Sequence, residues 1–287
     1  MKIKCTFTGL FEPLVSEINF IQYPDGQQDC SINIGADNNI IQVVIEQSIS
    51  SFNDIEKILC VKKYLDNINI KKVILLAPYI MGLRSDRQFN TNGIRYVADI
   101  LSPIINSMNF YEVRSYDPHS YVAENCINNF ITISRKSILV NAVCKGLKFP
   151  FKITDTYLIS PDAGAFAKSK ELDDVYNFKD VLVASKKRNQ DGSITTYLPT
   201  NFDINADVFI TDDICDGGGT FLGLRKTLRD CGHTGKVYIF TTHSMFSKGM
   251  KAVLPHFDHM WTTNSFPFIA DEDFPGQISD KLTIINV

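Results

Sequence analysis

Val208-Phe209-Ile210-Thr211-Asp212-Asp213-Ile214-Cys215-Asp216-Gly217-Gly218-Gly219-Thr220 is the stretch that decides the fold. Its short apolar run has the pattern of a buried parallel strand. The strand is expected to end in two adjacent carboxylates, followed by a third, three glycines and a threonine. Phe221, Leu222, Leu224 and Leu228 follow at helical spacing, and Gly232 is placed to close that helix. A strand, a glycine loop and a helix N-terminus make an anion site. Unpaired backbone N–H groups and the positive end of the helix dipole favour phosphate, and glycines admit it close to the backbone. No Gly-Lys-Ser/Thr follows, so this is not a Walker A loop. Asp212 and Asp213 repel each other and lose hydration at a strand end, which sugar hydroxyls or a divalent metal would offset. A phosphate pocket beside hydroxyl acceptors describes a ribose phosphate. The plainer reading, a polar turn with Asp216 as the helix cap, needs neither an acidic pair nor three glycines.

The rest of the chain bounds the context. Its 287 residues suit two α/β domains, each with its own core. A net charge of −3 offers no electrostatic attraction for nucleic acid or an anionic membrane, so neither is expected as a partner. The seven cysteines are odd in number and lack metal-ligand spacing, which reads as reduced thiols in a cytoplasm. No signal-peptide core follows Met1, and no apolar stretch approaches a membrane span.

Strand and helix signals alternate. Strands are expected at 2–8, 41–46, 73–77, 110–113, 157–159, 181–184, 208–213, 236–241 and 282–287, with a hairpin over 18–34 around Pro24-Asp25-Gly26. Helices are expected at 53–68, 92–108 and 163–172, besides the one after the glycine loop. Such alternation argues for parallel sheets whose ligands bind beyond the strands' carboxyl ends. The domain boundary is expected between residues 147 and 148, giving domains 1–147 and 148–287.

Polar clusters fall at those strand ends. Arg84 and Arg87 flank Asp86 after one strand, a guanidinium pair suited to phosphate oxygens. Asp117-Pro118-His119 follows another, where a neutral imidazole suits a metal or a triphosphate. Ser160-Pro161-Asp162-Ala163-Gly164 makes a strand-to-helix turn in which Asp162 is also a natural cap. Lys186-Lys187-Arg188 opens a polar stretch reaching Thr200, long enough for a mobile lid. Taken singly, each is also an ordinary solvated loop.

Together they resemble one family. The loop from Asp212 to Thr220 resembles the phosphoribosyl pyrophosphate loop of phosphoribosyltransferases and ribose-phosphate pyrophosphokinases, with Gly217 in place of the usual threonine. Tyr79 through Arg87, Asp117-Pro118-His119, Ser160 through Gly164, the pair Lys186 and Arg188, Tyr23-Pro24-Asp25-Gly26-Gln27 and Thr242 through Ser247 resemble further pyrophosphokinase motifs in the same order. Departures are Ser85 for glutamine, Pro118 and Ser120 beside the histidine, Ala165 for glycine and Gln27 for glutamate. The N-terminus is also shorter than usual, and the helix that normally follows the last strand is missing.

The resemblance implies an α/β protein of two phosphoribosyltransferase-like (Rossmann-like) domains with mainly parallel central sheets. It implies an ATP-dependent diphosphokinase forming phosphoribosyl pyrophosphate and AMP from ribose 5-phosphate, with Mg²⁺ as cofactor, in a cytoplasm (a host cell's, if the chain is viral). Asp212, Asp213, Asp216, Gly217, Gly218, Gly219 and Thr220 would hold the ribose phosphate. Arg84, Asp86 and Arg87 would hold ATP. Tyr23, Asp25 and Gln27 would reach the adenine of a neighbouring copy in a homo-oligomer, at least a dimer. His119 and Asp162 would sit at the metal, and Lys186, Arg188 and His119 would be catalytic. His243 reads as structural or regulatory. Gly217 removes a side chain beside the 5-phosphate. A loosened pocket would then take a substituted 5-phosphate such as ADP-ribose, the substrate of an ADP-ribose pyrophosphate synthetase. Small pyrophosphokinase-like proteins of bacterial viruses, implicated in NAD salvage, also resemble this chain. The same residues also admit a phosphoribosyltransferase or a catalytically silent regulatory homologue.

Overall fold

The computed structural model describes residues 3–9, 14–32, 40–85, 93–188, 194–267 and 278–287. The chain divides into two compact units, Met1–Ile133 and Ser134–Val287. Each has a separate apolar core.

The first unit contains strands β1 (Lys4–Thr8), β2 (Leu14–Glu17), β3 (Asn19–Gln22), β4 (Gln28–Ser31), β5 (Gln42–Glu46), β6 (Val73–Ala77), β7 (Glu112–Tyr116) and β8 (Phe130–Ile133). Its helices are α1 (Phe52–Asn67), α2 (Ser102–Ser107) and α3 (Val122–Cys126). The sheet runs β2-β1-β5-β6-β7-β8, parallel from β5 to β8 and antiparallel at the β1 and β2 edge. α1 forms because Ile55, Ile58, Val61 and Leu65 recur at helical spacing and a Ser51–Asp54 capping box starts it. β3 and β4 form the expected hairpin, paired from Asn19↔Ser31 to Gln22↔Gln28. Gly26, at φ +97°, makes its turn.

The second unit contains α4 (Arg135–Cys144), β9 (Tyr157–Ser160), α5 (Phe166–Tyr176), β10 (Val181–Val183), β11 (Ser185–Arg188), β12 (Ile194–Tyr197), β13 (Val208–Cys215), α6 (Gly219–Asp230), β14 (Val237–Ser244), β15 (His259–Thr263), α7 (Ile278–Lys281) and β16 (Leu282–Ile285). Its sheet, β10-β9-β13-β14-β15-β16, is parallel throughout. β13 is apolar on both sides because both faces are covered. Val208 and Ile210 join the core packed by α6, while Phe209 meets Phe149, Phe151, Phe178 and Trp261 at ring-centroid distances of 5.6, 5.4, 5.9 and 6.0 Å. α6 ends as expected at Gly232, whose φ of +81° lets its N–H and that of His233 reach the carbonyls of Arg229 and Leu228.

Several expectations need correction. The division falls at Ile133/Ser134, earlier than the expected 147/148, because α4 packs against α5 in the second unit. The helix expected over 92–108 is a π turn at Val97–Leu101 followed by α2. The strand expected at 110–113 is displaced to Glu112–Tyr116, since Asn109, at φ +50°, turns the chain just before it. β13 runs on through Asp212 and Asp213 to Cys215, because Ile214 and Cys215 keep pairing with His243 and Ser244. β2, α3, β8, α4, β11, β12, β15 and α7 were not foreseen. Among the described residues, no helix is long and apolar enough to cross a membrane.

Leu228 is fully buried on the inner face of α6. Leu228→Ala should therefore cost about 2–5 kcal/mol of stability, read as a lower midpoint in urea unfolding followed by circular dichroism.

Candidate active site

In the second sheet, β9 is followed on one side by β10 and on the other by β13, so the winding direction reverses between β9 and β13. In open α/β sheets, the crevice beyond the strand ends at such a switch point is where ligands bind. Asp162 lies just past β9, Lys186 just past β10 and the glycine loop just past β13. The topology brings these predicted residues to one edge of one sheet.

Two of them touch. Lys186 Nζ lies 3.2 Å from Asp162 Oδ2. The other carboxylate oxygen accepts from the Ala165 N–H at 3.0 Å, at the start of α5. Asp162 thus has a capping-type role and an ionic one at once. Lys186 stands on a two-stranded hairpin, because β11 pairs with β12 from Ser185↔Tyr197 to Arg188↔Ile194. The lid expected from Lys186 onward is therefore strand-paired on both sides of residues 189–193, which lie outside the described residues. The hairpin is fastened to α6. Thr227 Oγ1 donates to the Thr196 carbonyl at 2.9 Å, and a Cβ on Gly223 would stand 3.3 Å from Thr196 Oγ1.

The loop's glycines serve different needs. Gly218 has φ +78°, and a Cβ there would lie 2.5 Å from Val253 Cγ2, so only glycine fits. Gly219 opens α6 with nothing within 4 Å of where its Cβ would be. That open space fronts the first N–H groups of a helix of twelve residues. Asp216 is exposed and Thr220 half-buried.

Asp213 is buried and Asp212 keeps partial exposure. Burial, then the charge of Asp213, pushes the Asp212 carboxyl well above its ordinary range, and the Arg135 guanidinium opposes that rise. Arg135, the first residue of α4, is itself buried. Sequence reading missed it, although Ser134 accepting from the Ser137 N–H is a legible cap signal for the helix that carries it.

In the first unit, the loops after β6 and β7 leave the same end of adjacent strands. Arg84 is exposed after a turn in which Gly82 adopts φ +78°. His119 is exposed two residues past Asp117, which is buried at φ +36°. Tyr23, Asp25 and Gln27 sit exposed at the hairpin tip, with Asp25 Oδ1 accepting from the Gln27 N–H at 3.2 Å. Asp86 and Arg87 lie outside the described residues, as does the side chain of Arg188. His243 is buried, its Nδ1 2.7 Å from Ser265 Oγ, in a cluster of hydroxyls from Thr263 and Ser265. Among the described residues, no group of three or more His, Cys, Asp or Glu side chains forms a metal cage. Magnesium needs none, because one or two carboxylates plus substrate phosphates and water suffice, and the half-exposed carboxylate of Asp162 fits that role.

The chain matches no model of a known protein family. It is 23% identical to the ribose-phosphate pyrophosphokinase of Shewanella oneidensis over 79% of this chain and 70% of that one. It is 22% identical to the ribose-phosphate pyrophosphokinase of Thermococcus kodakarensis over 88% and 87%. The crystal structure of phosphoribosylpyrophosphate synthetase from Mycobacterium smegmatis superposes with a TM-score of 0.72 at 17% identity, covering 94% of this chain and 85% of that one. Both units therefore have the phosphoribosyltransferase-like α/β fold.

The raised Asp212 carboxyl has a sign that can be tested. The folded state binds the proton more tightly than the unfolded chain, so this group's contribution to stability falls as pH rises from its ordinary range through its raised value. Asp212→Asn should accordingly raise the thermal midpoint at pH 8 relative to the unsubstituted chain, with a smaller gain at pH 4.

Proposed function

We propose that the chain is a diphosphate-transferring enzyme of the ribose-phosphate pyrophosphokinase type, moving the β,γ-diphosphate of ATP to the C1 hydroxyl of a ribose 5-phosphate unit. Its likeness to ribose-phosphate pyrophosphokinases along most of its length supports this. The observation that carries this reading is the Lys186–Asp162 pair standing at the same sheet edge as the glycine loop, at the switch point of the second sheet.

In this reading the cradle formed by Asp216, Gly217, Gly218, Gly219 and Thr220 takes the 5-phosphate on backbone N–H groups and the N-terminal end of α6. Asp212 and Asp213 accept hydrogen bonds from the ribose hydroxyls, which relieves the strain between two crowded carboxylates. Arg84, Asp86 and Arg87 hold the nucleotide's phosphates, and His119 stands near them. Tyr23, Asp25 and Gln27 offer an aromatic face and polar groups to the adenine of a neighbouring copy in a homo-oligomer.

The C1 hydroxyl oxygen attacks the β-phosphorus and gives up its proton to solvent, the bond between the β-phosphorus and the α,β-bridging oxygen breaks, and AMP leaves with that oxygen. Such transfers need alignment and neutralisation of spreading charge more than covalent help. Lys186 and Arg188 supply positive charge to the transferring group. Mg²⁺, with Asp162 as an oxygen ligand and His119 near the nucleotide, would add Lewis-acid charge neutralisation. Any engagement of Asp162 by the substrate side would free the Lys186 ammonium from its carboxylate partner.

ADP-ribose is the second acceptor reading, resting on Gly217. The expected loosening of the pocket is not what surrounds this glycine, because the stem of Lys248 lies against it.

The test is AMP release from ATP and Mg²⁺ with ribose 5-phosphate or ADP-ribose as acceptor. The unsubstituted chain should release AMP with at least one of them, and release with neither would defeat the proposal. Lys186→Ala should lower turnover by about 10²–10³ while nucleotide binding, measured by calorimetry, survives.

A further inference from the structure

The segment after β14 runs alongside the glycine loop and touches it at three successive points. The Met245 N–H donates to the Cys215 carbonyl at 2.8 Å. Lys248 lies over Gly217, and Val253 fills the space beside Gly218. Between these contacts the chain makes a tight turn, with Phe246 and Gly249 at φ +48° and +79° and the Gly249 N–H bonded to the Phe246 carbonyl at 2.7 Å. Lys248 is therefore held in register with Gly217 by fixed points on either side of it.

The contact with Gly217 is specific. Gly217 does not have a positive φ, so its backbone would accept any L side chain. A Cβ added there would stand 3.1 Å from Lys248 Cδ and 3.2 Å from both Cγ and Cε. The methylenes of Lys248 thus occupy the place where a side chain at 217 would begin. Its ammonium is one covalent bond beyond Cε, so it lies close to the loop. Lys248 is exposed, and among the described residues its Nζ has no ion-pair partner. A threonine at 217 would offer a phosphate a neutral hydroxyl. A lysine in its place offers a full charge, and hydrogen bonds from an ionised donor are roughly twice as strong as neutral ones.

We propose that Lys248 is an acceptor-binding and specificity-determining residue, its stem replacing the side chain that Gly217 lacks and its ammonium contacting the phosphate end of the acceptor. Gly217 and Lys248 form one exchangeable unit: the glycine makes room for the stem, and the stem carries in the charge. The proposal rests on the glycine loop being the acceptor cradle.

The test is calorimetric binding of ribose 5-phosphate and of ADP-ribose to the full-length chain, which does not depend on turnover. Lys248→Met keeps the stem and removes the charge. It should weaken binding of at least one acceptor by ~10-fold or more, with ATP affinity and the thermal midpoint unchanged. A loss confined to ADP-ribose would put the ammonium at the second phosphate, and a loss common to both would put it at the first. Gly217→Thr alone should weaken acceptor binding by displacing the stem. Gly217→Thr combined with Lys248→Ala should bind better than Gly217→Thr alone, because the hydroxyl then has room. Equal binding of both acceptors by Lys248→Met and the unsubstituted chain would overturn the role of Lys248 and leave the cradle standing. Failure of the unsubstituted chain to bind either acceptor would overturn the cradle and this role with it.

Discussion

Two adjacent carboxylates inside β13, past the point where β9 stops pairing with it, are the constraint on which the site of the second unit depends. β13 pairs with β9 only from Val208 to Ile210, while β14 pairs with it at Asp212, Ile214 and Cys215, so the backbone on either side of the two acids is held by β14. Burial first, and the neighbouring charge of Asp213 second, push the Asp212 carboxyl above its ordinary range, and the buried Arg135 tempers the rise. Groups kept in that state bind hydroxyl donors readily, because the donors satisfy a need that the protein leaves open. The glycine loop exists one turn further along because the same strand aims the chain into α6. In the proposed function, sugar recognition and phosphate recognition would be two consequences of one strand.

The parts of the fold legible in the sequence are those whose burial is written as a period. α1 repeats its apolar residues every three or four positions, β6 is five residues of continuous hydrophobe, and the β13–loop–α6 segment combines both signals with glycines between them. α3 and β8 were missed because elements of five and four residues are too short to show a period. α4 was missed for another reason. It places a buried arginine at its first position, so the pattern reads as polar where the structure is interior. The domain boundary was misplaced by that same helix.

Within the candidate site, the residues readable from sequence are those whose identity itself suggests chemistry: the acids, the glycines, and the lysine that meets Asp162. The residues that could not be read are those whose role depends on a neighbour distant in the chain. Arg135 reaches Asp212 only because α4 packs in the second unit. Lys248 meets Gly217 only because β14 is the neighbour of β13. An inference from Gly217 alone gave an enlarged pocket, and the stem that fills the space came from another strand's exit. Removing a side chain in one place says nothing of volume until the surroundings are known.

The fastening of β12 to α6 has a mechanical meaning. Thr196 is bound to Thr227, and Gly223 is small enough to let the hairpin approach the helix closely. The hairpin's return strand and α6 are therefore fastened to one another. Lys186, directly opposite Thr196 in the hairpin, inherits its coordinates from that helix. In the proposed reaction, its travel toward a phosphate would be a matter of side-chain torsions. The entropy of fixing the backbone of 185–188 against 194–197 was spent when the protein folded, so in the proposed reaction substrate arrival would freeze the Lys186 side chain and not the backbone beneath it.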